Sequence, residues 1–151
     1  MTERNLELEK NPLQYVEKIE FYEDGPWKEL PHFIRFEYKG YKCYMSKGPM
    51  LNWCGYVILP KDHKFYEKYY DEVDVSVHGG ITYSDYEDPD DKEKGWTIGF
   101  DCAHAWDKIA KPKAMRDIYY KMDKLYPTLR EEIYRDKDYV EQEIKDLVNQ
   151  L

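Results

Sequence analysis

The chain has 151 residues, with 23 Lys and Arg set against 31 Asp and Glu for a formal charge of −8. That length suits one domain with a core of its own. So acidic a chain lacks the cationic face that non-specific nucleic-acid binding or docking on an anionic membrane requires. A mean hydropathy of −0.91 points toward disorder, but an aromatic content of 17% opposes it, because disordered chains are poor in the rings that fill cores.

In chain order, Asn11-Pro12 pairs an N-cap with a first-turn proline, and Leu13, Val16 and Ile19 follow as an apolar stripe, which predicts a helix over 11–20. Residues 33–38 alternate Ile34, Phe36 and Tyr38 with Arg35 and Glu37 and predict a half-buried strand. The turn Lys39-Gly40 returns the chain into a hairpin partner over 41–45. Residues 53–59 are apolar on both faces and predict a central strand. Val73, Val75 and Val77 alternate with polar residues as a fourth strand, expected to run through Gly79-Gly80 to Tyr83. Residues 85–95 read as an acidic loop, and Trp96, Ile98 and Phe100 mark a fifth strand. Weak helical patterns cover 113–126 and 128–135, broken at Pro127. Val140, Ile144, Leu147 and Leu151 define a terminal helix behind Asp138 and Glu141 at capping-box spacing.

The expected fold is α+β: an antiparallel, or mixed, five-stranded sheet with helices at both termini packing on it. A single domain spans 1–151, with 85–95 as an acidic loop insertion and 108–133 as a variable helical insertion. The odd cysteine count (Cys43, Cys54, Cys102) is no disulfide framework, and the charged first twelve residues offer no signal peptide. The expected compartment is the cytoplasm.

Two segments break local rules. In Val77-His78-Gly79-Gly80-Ile81-Thr82-Tyr83, paired glycines inside a strand cost stability unless the backbone bulges or something approaches closely. Their consecutive N–H groups also form a candidate nest for an anion. In Gly99-Phe100-Asp101-Cys102-Ala103-His104-Ala105-Trp106-Asp107, polar and reactive side chains crowd the end of an apolar strand. The plainer readings are a bulged strand, a small buried hydrophobe at Cys102, and Asp101 and Asp107 capping backbone N–H groups.

If the two segments are neighbours, His78 and Thr82 meet Asp101 and His104 in one cleft. Histidines can then exchange protons near neutral pH, with a carboxylate fixing the tautomer. Metal through His78, Asp101, Cys102 and His104 has suitable atom types, but the spacing matches no zinc signature, so neither metal nor other cofactor is expected. Sixteen tyrosines exceed the needs of this core and suit a planar ligand or a protein interface.

The succession Trp53-Cys54-Gly55-Tyr56-Val57, Pro60 with His63, Val77 to Tyr83, Gly99 to Ala105 with Asp107, Tyr134-Arg135-Asp136 and Tyr139-Val140 resembles a small protein family found largely in bacteriophages and prophages. The likeness runs from about residue 38 to the C-terminus, outside 85–95 and 108–133. Typical members carry glycine where this chain has Trp106, and proline where it has Lys64. The family has no established activity, so the resemblance implies a setting: a viral accessory protein in the cytoplasm of a bacterial host. Small acidic phage proteins of this kind include ones that sequester or degrade the nucleotide signals of host defence.

The expected function is binding of a small, nucleotide-like ligand through His78, Gly79, Gly80, Thr82, Tyr83, Asp101, Cys102, His104 and Asp107, with no nucleic-acid or membrane partner and with self-association allowed. The first alternative is a small hydrolase or lyase using His78 and His104 as acid and base with Asp101 as orienter. The second is a protein that inhibits a host enzyme. The same residues suit either binding or catalysis.

Overall fold

The computed structural model describes residues 24–125 and 132–151. Its described residues form β1 (Phe33–Tyr38), β2 (Tyr41–Lys47), β3 (Trp53–Leu59), β4 (Tyr83–Tyr86) and β5 (Trp96–Asp101), followed by α1 (Arg116–Leu125) and α2 (Lys137–Val148). The strands make one sheet in the order β1-β2-β3-β5-β4, and every pairing is antiparallel. Local chemistry closes the first hairpin: Lys39 and Gly40 both adopt positive φ, at 49° and 82°, the twist that a two-residue turn needs. The fold is α+β with an antiparallel sheet. The helix expected over 11–20 lies outside the described residues.

One sheet face carries Ile34, Phe36, Cys43, Met45, Val57, Leu59, Ile98 and Phe100, all buried. Onto it packs α2, whose Val140, Ile144 and Leu147 are fully buried. Each such side chain contributes about 1.5–3 kcal/mol by leaving water. The close approach rests on Gly55 of β3, where a Cβ would fall 2.6 Å from the Phe100 ring and 2.9 Å from Ile144 Cγ1. The helix is capped by Asp136, whose carboxylate accepts from the Tyr139 N–H at 2.9 Å, rather than by the expected Asp138.

The fourth strand departs from expectation. Residues 73–80 run beside the sheet without joining it, and β4 begins only at Tyr83, so the acidic loop is shortened to start at Glu87. The valine alternation reports an extended backbone facing the core, and it is silent about what satisfies that backbone. Here side chains of α2 and of the turn that follows it do so. Gln150 accepts from the Ser76 N–H at 2.6 Å and donates to the Ser76 carbonyl at 2.7 Å, and Glu143 Oε1 accepts from the His78 N–H at 2.9 Å. The helix expected over 128–135 is also corrected where it can be seen. Residues 132–136 are not helical, and Ile133 forms a parallel bridge with Asp107. The remainder of that stretch, 128–131, lies outside the described residues.

Candidate functional site

The segment 73–80 ends in a turn in which Gly80 N–H donates to the Val77 carbonyl at 2.8 Å, with Gly79 and Gly80 at φ +67° and +84°. This left-handed pair is open to glycine and costly for other residues. The turn leaves the Gly80 N–H already committed, which corrects the expectation of two consecutive donors aimed at an anion. Gly79 has a second task. A Cβ there would lie 2.2 Å from His104 Cε1 and Nε2, so the bare α-carbon is what lets the His104 ring rest on the turn.

The other wall is the corner after β5. Asp101 ends the strand, and its carboxylate accepts from the Ala103 N–H at 3.1 Å and from the Thr82 hydroxyl at 2.9 Å. Cys102 turns into the core, 2% exposed, with its N–H donated to the Trp53 carbonyl. Burial, reinforced by the nearby Asp107 charge, pushes its thiol well above the usual range. It is therefore a packed hydrophobe with no thiolate to offer. The chain then folds back at His104, and Asp107 accepts from the His104 N–H at 3.1 Å.

Asp107 is the hub. Its side chain is fully buried, and Oδ2 lies 2.9 Å from both His78 Nε2 and His104 Nδ1. Its other oxygen accepts from Arg135 Nε at 3.0 Å. Burial by itself raises a carboxyl pKa. Here the hydrogen bonds from His78, from the backbone and ring of His104, and from Arg135 outweigh it and hold Asp107 below its ordinary value. One carboxylate thus ties together the diglycine turn, the β5 corner and the chain leading into α2. The orienting aspartate is Asp107, where Asp101 had been expected.

Facing an ionised carboxylate, each neutral imidazole presents N–H to it. His78 then keeps Nδ1 as an acceptor for the Tyr139 hydroxyl at 2.7 Å, so both its nitrogens are used within the protein. His104 keeps Nε2, which makes no hydrogen bond among the described residues and lies 4.0 Å from Asp101 Oδ1. The two rings meet edge to face with centroids 5.3 Å apart, and Trp106 stacks on His104 at 4.8 Å with an interplanar angle of 6°.

Of the expected residues, the structure gathers His78, Gly79, His104 and Asp107, with Thr82 and Asp101 at the margin. Tyr83 packs edge-on against Tyr56 instead, and Trp106 is the ring that stacks on His104. Arg135, Tyr139 and Glu143 were missed as site residues. The first two fall within the stretch that carries the family resemblance, but no spacing rule links them to His78, because they arrive with α2 from 57 or more positions away in sequence.

Compared with known proteins, the chain matches no family model, no curated protein and no solved structure.

Proposed function

We propose that the protein binds a small polar ligand, nucleotide-like in class, at the edge where His104, Asp101, Thr82 and Gly80 adjoin. The observation that supports this reading is the state of His104. Its ring is gripped by Asp107, Trp106 and Gly79, yet its side chain retains 19% exposure and Nε2 is uncommitted. Gly80 has open space around its Cα. A rigid acceptor beside a carboxylate suits ligand O–H and N–H donors, such as ribose hydroxyls or base amines, better than it suits a bare phosphate. In the phage setting implied by the resemblance, the proposed role is sequestration of a host defence signal.

A second reading is favoured by the Asp107–His104 pair, which fixes the tautomer of a general base and leaves Nε2 to take a proton. His78 has no route to act as its partner acid, since both its nitrogens are engaged inside the protein. Binding therefore stays ahead of catalysis.

Calorimetric titration with nucleosides, nucleoside monophosphates and cyclic nucleotides tests the reading. The expected result is one class of binder, weakened at least tenfold by His104→Gln. Flat titrations across the panel overturn the binding reading. Product recovered by chromatography transfers the site to the acid–base reading.

A further inference from the structure

The inner edges of the same two imidazoles carry a separate inference. We propose that His78 Nε2, His104 Nδ1 and Asp107 Oδ2 constitute a site for a divalent transition-metal ion, of which zinc is the representative. One ligand atom from each of these three residues lies within 4.8 Å of the others, and theirs is the one such group of histidine, cysteine and carboxylate ligands among the described residues.

More donors converge on one oxygen than it has lone pairs to meet them. A carboxylate oxygen has about two lone-pair sites. Yet Asp107 Oδ2 is approached at 2.9 Å by each ring and at 3.1 Å by the His104 N–H. Ligands at zinc bond lengths in a tetrahedron sit roughly 3.4 Å apart. Each ring nitrogen stands only a few tenths of an ångström inside that spacing from Oδ2. Two imidazoles and one carboxylate form a ligand set of the kind that holds zinc or iron with further positions left for water or substrate.

Each ligand also has an outer partner, as metal-bound side chains generally do. The Tyr139 hydroxyl faces His78 Nδ1, Asp101 faces His104 Nε2, and Arg135 holds the second oxygen of Asp107. With an ion bound, each neutral imidazole coordinates through its inner nitrogen and carries its proton on the outer one, donating toward Tyr139 or Asp101. The carboxylates of Asp101, Asp107 and Glu143 around the pair, set against the Arg135 guanidinium, leave two negative charges that a divalent cation neutralises. Sequence spacing hides the set, because His104 and Asp107 come from one turn and His78 from another loop. The inference does not depend on any organic ligand; binding would turn the outer edge of His104 from acceptor to donor.

The test uses the full chain, stripped with a chelator and titrated with zinc chloride against a chromophoric competitor, then with cobalt(II) read by its visible absorption. The expected result is one equivalent per chain, with affinity lowered at least 100-fold in His104→Ala and about tenfold in Tyr139→Phe, which removes only an outer partner. Cys102→Ser is expected to leave affinity unchanged, and circular dichroism verifies that each variant is folded. Absence of uptake by the parent chain, or uptake that survives His104→Ala, overturns the metal site. A nucleoside panel that fails on both stripped and zinc-loaded protein overturns only the ligand reading, so the two proposals fail separately.

Discussion

His78 Nε2 and Asp107 Oδ2 stand 2.9 Å apart across 29 positions of sequence, and both side chains are almost entirely shut off from solvent. A buried charge in that position is tolerated only because every donor around it is aimed inward. The stability of the corner and the chemistry of the site therefore rest on the same carboxylate.

Asp107→Asn keeps the shape but removes the charge and puts an N–H₂ group where donors converge. It is expected to destabilise the fold by about 3 kcal/mol, the scale of breaking a buried ion pair by removing one partner. Urea unfolding measures this, and a loss below about 1 kcal/mol would show that the hub is dispensable.

The adjacent glycines separate two effects. Gly80→Ala introduces a methyl into open space and pays mainly for the left-handed backbone, about 1–2 kcal/mol. Gly79→Ala pays the same and also drives a methyl into the His104 ring. It is expected to cost more than Gly80→Ala and to disturb the His104 ring resonances, which Gly80→Ala leaves in place. Equal effects on stability and on His104 would contradict the packing described here.

Much of the fold was legible because it is local. Alternation marked β1, the apolar run marked β3 as central, and the spacing of Val140, Ile144 and Leu147 marked the face of α2. The diglycine turn and the β5 corner stood out for a physical reason too, since each breaks a propensity rule. What sequence could not supply was partnership. Residues 73–80 look like a strand because extended chain alternates whatever it bonds to, and only the folded arrangement shows Gln150 and Glu143 taking the place of a neighbouring strand. Asp101 is the orienter that sequence suggests, and only the turn that sets Asp107 between the two rings shows otherwise. Arg135 and Tyr139 come from beyond any local period.

Alkaline pH is expected to weaken the fold through its buried thiols. Burial, with a smaller contribution from Glu37, pushes the Cys43 thiol from its ordinary 9.0 up to about 12. The folded chain holds that proton more tightly than the unfolded one, so the stabilisation is complete below pH 9 and is lost as pH rises toward 12. The slope from this group approaches about 1.4 kcal/mol per pH unit. Lys47 acts in the opposite sense: burial pushes its ammonium from 10.5 down to about 8, so its contribution improves between those values. Urea unfolding of Cys43→Val from pH 8 to 11 is expected to fall less steeply above pH 9 than the parent does. Parallel curves would contradict this assignment.

The sharpest examination of the shared carboxylate is a long-range proton–nitrogen correlation spectrum of the histidine rings in chelator-treated protein. The arrangement predicts opposite tautomers in one molecule, with the proton on Nε2 in His78 and on Nδ1 in His104. Finding His104 protonated on Nε2, or both rings averaging freely between forms, would mean that Asp107 does not hold them.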